Sequence, residues 1–127
     1  MKKIKGIKIQ FIPFSKIENL SSYKRVKFLL DNIKENKIII LQGKLSHDEE
    51  ADLIEETMVN IGKRKNFKGI EIATLAPKPE DNIFGKLRKK LADALVGDRD
   101  MITIIGPATI VREIKKDISK LELYLKI

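Results

Sequence analysis

Residues 37–61, KIIILQGKLSHDEEADLIEETMVNI, decide the fold. The first six, KIIILQ, form a continuous apolar run bounded by polar residues, the pattern of a central strand covered on both faces. Gly43 then turns the chain, and the period changes from strand to helix. Ser46 is placed to cap the free amides, and Glu49, three residues on, to reach back to the amide of Ser46, which is a capping box. Asp48, Glu49 and Glu50 set negative charge where the helix dipole is positive. Ala51, Ile54, Met58 and Ile61 recur at spacings of three and four and predict the inward stripe, with Leu53 and Thr57 widening it and Gly62 as a left-handed cap. Asp52, Glu55, Glu56 and Asn60 fall on the outward side. A strand, a helix and, beyond residue 68, a second strand (GIEIATL) suggest a βαβ unit.

Working outward, Ile7, Ile9 and Phe11 alternate with Lys8 and Gln10, a strand with one buried face that Pro13 ends. Ser21 or Ser22 caps a helix with Tyr23, Val26, Leu29, Leu30 and Ile33 inward and Lys24, Arg25, Lys27 and Lys34 outward. After the proline-punctuated segment APKPEDN, Ile83, Leu87, Leu91, Ala94 and Leu95 predict a helix, and residues 76–100 form a variable helical insertion. MITIIG reads as another buried strand. Gly106 and Pro107 open a helix bearing Ile110, Val111 and Ile114, and LELYLKI closes the chain as a strand.

The alternation of strand and helix gives an α/β fold over residues 1–127, one domain with a mixed sheet of about five strands. Three of those strands alternate apolar with polar residues. The expectation is therefore that helices lie mainly on one face and that Lys8, Gln10, Glu71, Glu122, Tyr124 and Lys126 populate an open face, solvated or used in a homodimer. One aromatic on that face is too few for an RNA-stacking platform.

The chain of 127 residues carries a formal charge of +8, with no cysteine and a single histidine, His47. No disulfide framework or thiolate metal site is available, and zinc or triad chemistry loses its usual ligands. No metal or cofactor is expected. Ser46, His47 and Asp48 are adjacent on a helix start and diverge, so they make no triad. The IGPAT junction lacks the glycine cradle and lysine of a phosphate loop and reads as helix initiation. No apolar run reaches the roughly 18 residues of a membrane span, and the lysine-rich start is unlike a signal peptide, which predicts a cytosolic protein. Abundant lysine, glutamate and isoleucine fit a thermophile composition.

Charge is segregated along the chain. Residues 46–61 carry six carboxylates and no Lys or Arg, whereas residues 62–68 carry four cations and no acid. Two binding surfaces follow. Glu49, Glu50, Asp52, Glu55 and Glu56 form either a solvated helix face or an acidic docking face for a basic protein partner. Lys63, Arg64, Lys65 and Lys68, with Lys86, Arg88, Lys89 and Lys90, are candidates for RNA phosphates or for the acidic helix of a neighbouring copy. No convergent acid, base and nucleophile can be named, so a small-molecule enzyme has the least support.

The succession FIPF, SSYKRVKFLLDNIKENKIIILQGKL, DEEADLIEETM, FKGIEI and TIIGPA resembles the archaeal proteins classed as domain of unknown function 2073. That resemblance implies a cytosolic archaeal protein without established activity, often encoded beside an Era-like GTPase. A non-enzymatic adaptor role in an RNA- or ribosome-linked process follows, with the GTPase as partner. The shared positions it marks are Glu49, Glu50, Glu55, Thr57, Met58, Glu71 and 106–108.

Overall fold

The computed structural model describes residues 7–34, 36–61, 69–75 and 101–121. In chain order these form β1 (Lys8–Ile12), a 3-10 turn (Phe14–Lys16), α1 (Ser22–Asn32), β2 (Lys37–Gln42), α2 (His47–Asn60), β3 (Ile70–Leu75), β4 (Ile102–Pro107) and α3 (Ala108–Lys116). The fold is mixed α/β, and the described strands make one four-stranded sheet in the order β1-β2-β4-β3. The fifth strand predicted at LELYLKI is not among them. Leu121 lies in a helical turn, and residues 122–127, like the predicted insertion at 76–100, fall outside the described residues.

β1 and β2 are parallel, running from Lys8 beside Lys37 to Ile12 beside Leu41, with α1 as the crossover. β4 is antiparallel to both β2 and β3. β2 and β3 are therefore parallel to each other with β4 inserted between them, so the α2 crossover spans an intervening strand. That insertion explains the apolar reading of β2 and β4. Flanked by strands on both edges and covered on both faces, residues 38–42 and 102–106 are buried throughout.

Both faces of the sheet are covered, which corrects the expectation of helices mainly on one face. On the first face, Val26 and Leu29 of α1 and Leu53 of α2 pack with Ile12, Ile39, Leu41, Ile70 and Ile105. On the second, Val111 and Ile114 of α3 and Leu121 pack with Ile38, Ile40, Ala73, Ile102 and Ile104. The alternation had a different cause on each strand. On β1, Ile7, Ile9 and Phe11 pack on the second cluster, so by the two-residue period Lys8 and Gln10 share the α1–α2 face with Ile12. Gln10 there accepts a hydrogen bond from Lys37 Nζ at 2.7 Å. On β3, Glu71 faces α3 and pairs with Lys115 Nζ at 2.9 Å and Arg112 Nε at 3.6 Å. A carboxylate opposite two helix cations replaces the solvent that alternation implied.

Candidate docking site

The functional candidates depend on how α2 is seated. Ser46 Oγ accepts from the Glu49 amide at 3.1 Å, and the Ser46 amide donates to Glu49 Oε1 at 2.9 Å, so the capping box is complete. The second carboxylate oxygen of Glu49 lies 3.5 Å from Arg25 Nη1. Arg25 in turn donates through Nε to the Ile17 carbonyl at 2.9 Å and through Nη2 to the Glu18 carbonyl at 3.1 Å. Its guanidinium carbon lies 5.7 Å from the centre of the Phe14 ring, within cation–π range. The Phe14 amide donates to Gln42 Oε1 at 3.0 Å, and Thr103 Oγ1 donates to the Gly43 carbonyl at 2.6 Å. One connected cluster therefore locks the carboxyl ends of β1 and β2 and fixes the start of α2. Burial pushes the Glu49 carboxyl up, but the Ser46 amide, the Ser22 hydroxyl and Arg25 outweigh it and hold the group below the usual glutamate range.

This seating rotates α2 from the predicted inward stripe. Its buried residues are Glu49, Leu53 and Thr57, followed by Ile61 just past the helix. Thr57 fits an apolar interior because its hydroxyl donates to the Leu53 carbonyl at 2.6 Å. Ala51, Ile54 and Met58, expected inward, face out: Ile54 is 39% exposed, Met58 50% and Val59 62%. α1 shows a smaller correction. Val26, Leu29 and Ile33 are buried as expected, whereas Tyr23 is 74% exposed and Arg25, expected outside, turns inward.

The five candidate carboxylates consequently do not share one surface. Glu49 is 3% exposed and engaged within the chain, which withdraws it from docking. Asp52 and Glu56 line a groove of about 350 Å³ between the two helices, opposite Tyr23, Val26, Lys27 and Leu30 of α1. Glu55 is exposed on the outer side. Glu50 lies on the other flank, beside Lys44, His47, Thr74 and Lys115, in a wider concavity of about 570 Å³ along β3. Among the described residues, no ion pair engages Asp52, Glu55 or Glu56.

The candidate RNA contacts Lys63, Arg64, Lys65, Lys68, Lys86, Arg88, Lys89 and Lys90 all lie outside the described residues. A different cationic cluster was missed in the sequence: Lys8, Lys34 and Lys37. Burial, then Lys34, then Lys8 hold the Lys37 amine below its usual value. Lys34 follows α1 and is joined to Lys37 by a turn in which the Lys37 amide donates to the Lys34 carbonyl at 3.2 Å, and the parallel register sets Lys8 of β1 beside Lys37. At the GPA junction, the Ala108 amide donates to the Gly69 carbonyl at 3.1 Å, an internal contact. Among the described residues, no group of three or more His, Cys, Asp or Glu is placed to hold a metal, and no helix is long and apolar enough to cross a membrane.

A family model described as Origin-associated protein OapB matches residues 17–126. The chain belongs to the OapB family. That match spans both helices of the groove and β2, β3 and β4, and it overturns the resemblance to domain of unknown function 2073. The segments on which the resemblance stood are chiefly structural. Phe14 and Arg25 serve the locking cluster, and DEEADLIEETM supplies the cap and the inward stripe. The GTPase neighbour, which rested on the resemblance alone, is withdrawn from this OapB-family chain. No curated protein and no solved structure matches the chain.

Proposed function

We propose that this OapB-family chain is a non-enzymatic adaptor that holds a basic protein partner within an origin-associated nucleic-acid assembly. The observation that carries this reading is on α2, where Asp52 and Glu56 on the groove wall and Glu55 outside it have no ion pair among the described residues, with Val59, 62% exposed, one turn after Glu55. In a chain of formal charge +8, carboxylates with no ion pair among the described residues and apolar surface beside them suit a cationic protein surface. The family's description supplies the setting.

The test is capture by the tagged full chain from native lysate after ribonuclease and deoxyribonuclease treatment, with the bound proteins identified. Glu55→Lys combined with Glu56→Lys should leave the fold intact and remove basic partners from the capture. Undiminished capture by that variant would count against the adaptor.

A second reading is direct RNA contact through the basic clusters, including those of a ribosome-linked process. It is favoured by the convergence of Lys8, Lys34 and Lys37, where burial first and then repulsion from Lys34 and Lys8 disfavour the charge on Lys37, and a polyanion would relieve the repulsive part. Its expected signature is an RNA affinity that falls steeply with salt and drops when Lys8 and Lys34, together with Lys63, Arg64, Lys65, Arg88, Lys89 and Lys90, become alanine. Affinity unmoved by those changes would end it.

A further inference from the structure

We infer that the α1–α2 groove seats a cationic amphipathic helix of the protein partner, with one apolar side chain entering between Tyr23 and Leu30 and two cations one turn apart pairing with Asp52 and Glu56. The inference deepens the adaptor reading and rests on it. The floor of the groove is apolar, formed by buried Val26 and half-buried Leu30, and its rim is the exposed Tyr23 ring. A volume of about 350 Å³ lies near the lower bound for small-molecule pockets, roughly 300 Å³, and suits an anchoring side chain from a larger body.

The wall formed by α2 supplies the polarity. Asp52 and Glu56 are four residues apart on a continuous helix, which sets their Cβ atoms about 5–6 Å from each other. Lys or Arg at the same spacing on a helix laid along the groove would meet both carboxylates at once. Lys27 on the opposite wall repels cations from the α1 side, so the occupant has one preferred rotation.

Charge also decides between occupants. Nucleic acid would bring phosphates against Asp52, Glu55 and Glu56. A two-fold dimer through this face would bring two acidic walls together with one groove cation, Lys27, from each copy to offset them. A helix with an apolar stripe beside a basic stripe answers both features of the groove, in the helix-in-groove mode of recognition.

The test is a library of displayed peptides, about 16 residues long so that an isolated helix can form, panned on the full chain. The expected winners carry Leu, Ile or Phe flanked by Lys or Arg three or four residues apart. Amide NMR shifts on adding such a peptide should map to residues 23–30 and 52–59. Asp52→Lys with Glu56→Lys should weaken binding about tenfold or more, and Tyr23→Ala, at an exposed position, should weaken it with an unchanged melting curve.

Winners without cations, an empty panning, shifts outside the groove, or equal affinity for the reversed variant would overturn the inference. So would self-association of the chain abolished by Asp52→Lys with Glu56→Lys, which would make the occupant a second copy. If lysate capture depends on Glu55 and Glu56 while the peptide arm fails, the adaptor stands and only the helix falls. If capture is also unchanged, both fall.

Discussion

α3 and α2 cover opposite faces of one sheet, yet they treat their polar residues differently. α3 turns Val111 and Ile114 onto β3 and β4, and two of its cations, Arg112 and Lys115, reach the Glu71 carboxylate on β3. Its charge completes the sheet beneath it. α2 is anchored by an inner line of Glu49, Leu53 and Thr57 with Ile61, and leaves outside Ile54, Met58, Val59 and three carboxylates that have no ion pair among the described residues. The lesson lies in where an acid finds its cation. Glu71 and Glu49 find theirs within the chain, whereas Asp52, Glu55 and Glu56 face outward without one among the described residues.

The sharpest way to break this comparison is to truncate one residue in each layer. Ile114 is fully buried, so Ile114→Ala should cost about 2–5 kcal/mol through lost transfer energy and the cavity left behind. Val59, 62% exposed on α2, should change stability by about 0.5 kcal/mol or less on conversion to Ala. Urea unfolding of both variants measures the contrast. Equal losses would mean that the outer side of α2 is part of the core after all.

The next effect tests how α2 is seated. Gly43 has φ 109°, and an added Cβ would come 2.6 Å from Phe14 Cδ1, so Gly43→Ala combines left-handed strain with displacement of the ring beside Arg25. A loss of about 1–3 kcal/mol is expected, read from the same unfolding curves. A neutral result would show that the Phe14 cluster yields easily and that α2 does not depend on it.

Glu49 carries the next largest effect and a pH signature. Glu49→Ala removes one half of the capping box and the carboxylate facing Arg25, at a cost of about 1–2 kcal/mol. Its folded pKa is lowered, as is that of Glu71, where the Lys115 hydrogen bond is the leading cause. A carboxylate with a depressed folded pKa stabilises fully above its unfolded value, and this stabilisation is lost as pH falls through the folded value. The wild type should therefore lose stability on acidification below the usual glutamate range. Glu49→Ala and Glu71→Ala should each make that acid limb shallower in melting temperature against pH.

The seating of α2 also shows what was legible in the sequence. The strand at 37–42, the capping box at Ser46 and Glu49, and the strand-to-helix passage at Pro107 follow from local chemistry, and each stands as expected. The inward stripe of α2 followed from periodicity only in part: Leu53, Thr57 and Ile61 are buried as the spacing predicts, but Glu49 is buried with them while Ala51, Ile54 and Met58 are exposed. A burial rule based on apolarity has no means of choosing a glutamate. The Ser46 amide, the Ser22 hydroxyl and the distant Arg25 satisfy Glu49, and the local Thr57-to-Leu53 bond satisfies Thr57, which makes that line of residues tolerable inside. The site was hidden for the same reason: Tyr23 read as core on the spacing of α1, and its exposure beside Asp52 and Glu56 depends on how two separately encoded helices pack.

The smallest expected effect on stability is the one with the largest consequence for function. Glu55→Lys with Glu56→Lys removes no ion pair found among the described residues. It sets Lys at position 56 one turn after Asp52, a favourable spacing, and across the groove from Lys27, an unfavourable one. The fold should therefore stay within about 0.5 kcal/mol of the wild type, while a basic partner meets repulsion where it met attraction. Loss of partner capture at equal or higher melting temperature would separate an interaction surface from a structural one, the opposite outcome to Ile114→Ala. A destabilised variant would instead assign these carboxylates to the fold and erase the difference between the two layers.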